Sequence, residues 1–125
     1  MLNVLIIDDD KDMRFGVKRI LTRCGHTVHE AVSGEQAFEQ LSQEGIDVVF
    51  CDLRFPGQLS GENILDTIST QYPDIKVVMM SCGMDYDTKE SLLQNGACAA
   101  LQKPFFKADC QHLLSELFPA FQQAA

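Results

Sequence analysis

The sequence predicts a doubly wound α/β domain: a five-stranded parallel sheet with helices on both faces. Two observations carry this. First, short apolar runs such as Val4–Ile7, Val48–Cys51 and Ile75–Met80 alternate with segments whose apolar residues recur at helical spacing. The alternation covers the chain with no linker, repeat or low-complexity stretch, and it implies parallel strands joined by right-handed crossovers. Second, the two strongest runs stop at carboxylates, Asp8-Asp9-Asp10 and Asp52. In open parallel sheets, ligands sit beyond the carboxyl ends of the strands.

In chain order, Val4–Ile7 is a buried strand. The helix after it carries Met13, Val17, Ile20 and Leu21 on one face, with Asp10 as N-cap and Gly25 as stop. Thr27–Ala31 is a more polar strand and belongs nearer an edge. Ser33 and Gln36 have capping-box spacing; Ala37, Phe38 and Leu41 form an inner face, and Gly45 ends that helix. Asp47–Asp52 is the central strand, and Leu53–Gly57 turns after it, because proline sets one backbone angle and glycine frees another. Ser60 or Gly61 opens a third helix with Ile64, Leu65 and Ile68 inward, closed by Tyr72-Pro73-Asp74. Ile75–Met80 is the fourth strand. Residues from Asp85 to Gln94 form a weak helix anchored by Leu92 and Leu93. Cys98–Gln102 is a fifth strand of small residues. Leu113, Leu114, Leu117, Phe118 and Phe121 define the last helix, which Pro119 ends or kinks.

Composition narrows the function classes. The 125 residues make one domain, 1–125, and a 46% hydrophobic content supports a core. A net charge of −8 disfavours direct nucleic-acid binding. No apolar run reaches membrane-spanning length. The five cysteines are odd in number and lack a C-x-x-C pair, which points to free thiols in a reducing cytoplasm.

The strand ends bring chemistry together. Asp8 and Asp9 follow the first strand, Asp52 ends the third, Ser81 the fourth and Lys103 the fifth, all on one sheet edge. At about 5 Å and an effective dielectric near 20, each pair of carboxylates repels by roughly 3 kcal/mol. One lysine offsets part of this, and a hard divalent cation such as Mg²⁺ completes the balance. An aspartate between a metal and a lysine, beside a hydroxyl, suits attack on phosphorus.

With Asp8-Asp9, Asp52 followed by Pro56-Gly57, Ser81, and Gly96-Ala97 leading to Lys103-Pro104-Phe105, the chain resembles a response regulator receiver domain of the CheY-like kind over essentially its whole length. The resemblance implies a flavodoxin-like (βα)5 three-layer sandwich with strand order 2-1-3-4-5. It implies Asp52 as phosphoacceptor, and Asp9 and Asp52 as direct Mg²⁺ ligands, with Asp8 assisting through water and the Arg54 backbone carbonyl completing the set. Ser81 and Lys103 would contact the phosphoryl group, and Lys103-Pro104 would be cis. The donor would be a sensor histidine kinase or a phosphotransfer protein. An output domain or a downstream protein would read the state, and homodimerisation is left open. Such a domain catalyses only its own phosphorylation and dephosphorylation.

The chain departs from the family pattern at four places. Phe55 replaces the more usual Met or Leu. The loop through Gln58-Leu59-Ser60-Gly61 is one residue longer than common. Cys82 stands where Ala is common, and Ala100 where a switch Tyr or Phe is usual. Asp10 and Asp12 read as helix caps. The cysteines read as small core hydrophobes, with Cys82 the one thiol that Lys103 would activate. His26 and His29 do not read as a metal pair, and His112 reads as a surface residue. Phe105-Phe106 and the Phe118/Phe121 pair read as core packing. Three other functions compete. One is a docking module on this fold with little phosphate-dependent read-out. Another is a Mg²⁺-dependent aspartyl phosphatase of the haloacid dehalogenase type, for which Asp12 stands where that motif has Thr or Val. The last is a flavin or nucleotide binder, disfavoured by an Asp-rich first loop.

Overall fold

The computed structural model describes residues 1–43, 45–55 and 59–119. Ten elements alternate: β1 (Asn3–Ile7), α1 (Lys11–Arg23), β2 (Thr27–Ala31), α2 (Gly34–Gln43), β3 (Val48–Asp52), α3 (Gly61–Gln71), β4 (Lys76–Ser81), α4 (Tyr86–Gln94), β5 (Ala99–Gln102) and α5 (Lys107–Leu117). The strands form one parallel sheet in the order β2-β1-β3-β4-β5. This is the expected order, with the polar β2 on an edge.

The period of two along each strand builds two cores. Leu5, Ile7, Val49, Cys51, Val77 and Met79 face α2, α3 and α4, where they meet Ala37, Leu41, Ile64, Leu65, Ile68 and Leu92. Val4, Ile6, Val48, Phe50, Val78 and Met80 face α1 and α5, where they meet Val17, Leu21, Cys110 and Leu114. A strand buried on both faces reads as a continuous apolar run, which is why β1, β3 and β4 stand out in the sequence.

The caps follow the sequence closely. The Asp10 carboxylate accepts from Asp12 and Met13 N–H, and Gly25 takes a positive φ of 92° just past α1. Ser60 and Asn63 form a reciprocal capping box on α3, and Asp85 caps α4. At α2 the reciprocity is shifted by one residue: Gln36 N–H donates to Ser33 Oγ, while the Gln36 side chain accepts from Val32 N–H. Asp47 lies just before β3, where its carboxylate accepts the Asn3 N–H at 2.8 Å.

Some expectations are corrected. Of the cysteines, Cys51 and Cys110 are buried, Cys24 is half-buried, and Cys82 and Cys98 are exposed. Both exposed thiols lie just outside a strand, past the end of β4 and before the start of β5, where the core no longer covers them. Phe105 is buried but Phe106 is 68% exposed. Adjacent residues on extended backbone point to opposite sides, so only one of the two can enter the α1/α5 core. Phe118 is partly buried against that core, with the Lys76 ammonium 5.7 Å from its ring centroid. Pro56, Gly57, Gln58 and Phe121 lie outside the described residues. His26 is buried and its Nδ1 accepts the Leu2 N–H, whereas His112 is exposed and pairs with Glu116 at 2.9 Å.

Candidate functional site

The strand order reverses between β1 and β3, and the site lies at the carboxyl ends of these neighbours. β1 delivers Asp8 and Asp9, and β3 delivers Asp52. One carboxylate oxygen from each of the three lies within 4.8 Å of the others. Asp8 is fully buried, Asp52 is half-buried and Asp9 is exposed. The cluster therefore grades from core to solvent.

Lys103 reaches into this cluster from the end of β5. Its backbone N–H donates to Ser81 O at 2.8 Å, which extends the β4–β5 ladder and fixes the start of the side chain. The peptide bond to Pro104 is cis, as the family resemblance implies. The ammonium, with a side chain 5% exposed, lies 3.0 Å from Asp8 Oδ2 and 3.4 Å from Asp52 Oδ1. The other Asp8 oxygen accepts the Asp10 N–H at 3.0 Å. In this structure Lys103 is thus held more closely by Asp8 than by Asp52. Burial works against the charged ammonium, but the hydrogen bonds and charges of Asp8 and Asp52 outweigh it and hold the Lys103 pKa above its ordinary value. Burial also pushes the Asp52 carboxyl above its usual range. The Asp8 charge adds to this, while Lys103 and the Arg54 N–H oppose it.

Ser81 ends β4 and is 1% exposed, and its hydroxyl has no hydrogen-bond partner among the described residues. A buried unpaired hydroxyl costs about 1–3 kcal/mol, so a ligand oxygen arriving here is favoured. Cys82, the next residue, is exposed, and the Lys103 ammonium is already committed to two carboxylates.

The acidic corner fits a hard cation. An octahedral Mg²⁺ with ligand distances of about 2.1 Å holds its oxygens about 3 to 4.2 Å apart. The cluster approaches that range, and three carboxylates against one ammonium leave negative charge to be balanced. A cleft of about 600 Å³ opens between the segment that follows Asp52 and α4, lined by Leu53, Arg54 and Phe55 on one side and Asp87, Thr88 and Ser91 on the other; the three carboxylates do not line it.

Gly61 is placed by the sequence at the start of a helix, but its approach to Asp52 escaped the sequence reading, and Arg14 escaped it altogether. A Cβ on Gly61 would lie 2.6 Å from Asp52 O and from Leu53 Cα, so only glycine lets the start of α3 sit against the Asp52 backbone. Arg14 bonds to the backbone of Asp8 and to Glu30 on β2. A cation at helical spacing from Lys18 is visible in the sequence, but its partner is fixed by the β1–β2 neighbourhood.

Comparison with known proteins agrees with this geometry. The family model for the response regulator receiver domain matches residues 4–115. The DNA-binding transcriptional regulator NtrC of Proteus hauseri is 33% identical over 103 residues, which is 82% of this chain and 22% of that protein. The sensor kinase CckA of Brucella abortus is 33% identical over 104 residues, 82% of this chain and 11% of its own length. The chain thus spans less than a quarter of these curated relatives. The receiver domain of NtrX from Brucella abortus superposes with a TM-score of 0.82 at 30% identity, covering 94% of this chain and 96% of that one.

Proposed function

The chain belongs to the response regulator receiver domain family, and from that premise we propose that Asp52 accepts a phosphoryl group in a Mg²⁺-dependent reaction. One observation carries this reading: a buried ammonium joins Asp52 to a second carboxylate, within a cluster of three carboxylates. The donor is a phosphohistidine on a sensor histidine kinase or phosphotransfer protein. An Asp52 oxygen attacks phosphorus, the new O–P bond forms, the P–N bond breaks, and the imidazole leaves and takes up a proton.

Each residue has a role that its surroundings support. Asp9, exposed, and Asp52, half-buried, would ligate the cation directly, as the family resemblance implies. Asp8, fully buried with one oxygen on Lys103 and the other on the Asp10 N–H, would assist through water. The Arg54 backbone carbonyl would complete the protein ligands, as the family resemblance implies. Mg²⁺, when bound, neutralises charge developing on the transferring phosphoryl oxygens. Lys103 stands 3.4 Å from Asp52 and meets a phosphoryl oxygen there. The unpaired Ser81 hydroxyl donates to another.

Residues 1–125 act as one cytoplasmic receiver domain that turns over no outside substrate. An output domain or downstream protein reads its state. Incubation with acetyl phosphate and Mg²⁺ should add one phosphoryl mass, and Asp52→Asn should abolish the gain. Equal labelling of Asp52→Asn would show that another residue is the acceptor.

A further inference from the structure

We infer that Arg14 is a positioning residue that aims Asp9 at the cation; this rests on the functional reading above and deepens it. The Arg14 guanidinium is largely buried, with its side chain 15% exposed. Its Nη1 donates to the backbone carbonyl of Asp8 at 2.9 Å, and its Nε donates to Glu30 Oε1 at 3.0 Å. The second Glu30 oxygen takes the Lys18 ammonium at 3.0 Å. The Lys18 hydrogen bond, aided by Arg14 and against burial, holds the Glu30 carboxyl below its usual range, so this anchor stays ionised.

The peptide unit from Asp8 C=O to Asp9 N–H is planar. Fixing its oxygen fixes where the Asp9 N–H and Cα point. The Asp8 N–H is tied as well, to Ala31 O at 3.1 Å, and its carboxylate is held by Lys103 and the Asp10 N–H. Asp9 is exposed and none of these bonds reaches its side chain. Its direction therefore depends on the peptide that launches it, and Arg14 holds that peptide. An arginine fork spans a carboxylate and a carbonyl at once, which a lysine point charge does not.

Electrostatics and positioning predict opposite signs. Removing a cation near a metal site strengthens metal binding if charge alone acts. Loss of a group that orients a ligand weakens it, typically 10- to 100-fold. The test is calorimetric Mg²⁺ titration of the parent, Arg14→Met, Arg14→Lys and Asp52→Asn, with the Asp9 amide resonance followed in metal-free protein. Arg14→Met should raise the Mg²⁺ Kd about tenfold and shift the Asp9 amide before metal is added. Arg14→Lys keeps the charge but cannot make both bonds, and should raise Kd severalfold; it also carries the test if Arg14→Met does not fold. Tighter or unchanged Mg²⁺ binding in the folded Arg14 variants, or an unmoved Asp9 amide, overturns the inference. If the parent binds Mg²⁺ no better than Asp52→Asn, the functional reading fails and the inference with it. If the parent binds in an Asp52-dependent way and the Arg14 variants match it, only the inference fails.

Discussion

Asp52→Asn should stabilise the metal-free protein at neutral pH. The variant keeps the shape of the side chain and removes its charge. Carboxylate oxygens of Asp8, Asp9 and Asp52 lie within 4.8 Å of one another. At an effective dielectric of about 20, each such pair repels by about 3.5 kcal/mol, and solvent screening cuts the share of the exposed Asp9. Lys103, 3.4 Å away, returns about 5 kcal/mol. These contributions nearly cancel, which leaves burial of the carboxylate to decide the sign. Burial is also the leading cause of the raised Asp52 pKa. Lys103 keeps Asp8 as a partner in the variant. A net gain of about 1–2 kcal/mol follows after relaxation, which for a domain of this size raises Tm by about 4–8 °C. The pH dependence has a definite sign. A carboxyl with a raised folded pKa contributes stability that is full below its unfolded pKa and is lost as pH rises through the folded pKa. The parent therefore closes the gap to Asp52→Asn on acidification. Thermal melts in chelator from pH 4 to 8 check this. A lower Tm for Asp52→Asn at pH 7.5, or a gap that does not narrow toward pH 4, would refute the reasoning.

Lys103→Met should cost about 3–5 kcal/mol at neutral pH by leaving Asp8 buried without its cation, and chemical denaturation measures it. Because the Lys103 pKa is raised in the folded state, its contribution is full below the unfolded value of about 10.4 and is lost as pH rises through the folded pKa; the parent should lose stability there and the variant should not. Gly61→Ala should destabilise strongly and weaken acetyl phosphate labelling, because the new Cβ meets Asp52 and Leu53 backbone at 2.6 Å; the same labelling and melting as the parent would count against that close approach. Ala100→Tyr should enlarge the amide-exchange response of β5 and α5 to beryllofluoride, and no enlargement would mean that position 100 does not limit the read-out.

The sequence makes the site legible because each of its residues lies at or just past the end of a strand. A parallel sheet brings all such ends to one edge, so Asp8, Asp9, Asp52, Ser81 and Lys103 needed no tertiary detail to be grouped. Their pairing did need it: Lys103 lies nearer Asp8 than Asp52 because β1 and β3 adjoin and Asp8 is the deeper carboxylate. The errors share a cause. Cys82, Cys98 and Phe106 are apolar by type, and residue type does not say which side of a strand end or loop a side chain takes. Arg14 and Gly61 meet the backbone of Asp8 and of Asp52 and Leu53, which lies outside their own helices across a strand end, and no local pattern announces such contacts.

Ala100 bears on how a phosphorylated Asp52 would be read. It pairs with Met79 in the β4–β5 register, and a cleft of about 230 Å³ opens beside it, lined by Met84, Asp85, Tyr86, Lys89 and Gln102. A methyl group adds little apolar area, whereas moving an aromatic ring between solvent and core shifts the balance by a few kcal/mol. Movement of Ser81 toward a phosphoryl group therefore has little leverage on β5 and α5. The segment from Ser81 to Asp85 and α4 are softer. Leu92 is the one fully covered apolar residue on α4, and Tyr86 in its first turn is 74% exposed. A helix with so few buried contacts opens at low cost. The response to phosphate should concentrate there, and association through β5 and α5 should be weak or independent of phosphate. Amide exchange with and without beryllofluoride, together with sedimentation of both forms, decides it. A large change confined to β5 and α5, with a monomer-to-dimer shift, would place the switch on a residue other than one at position 100.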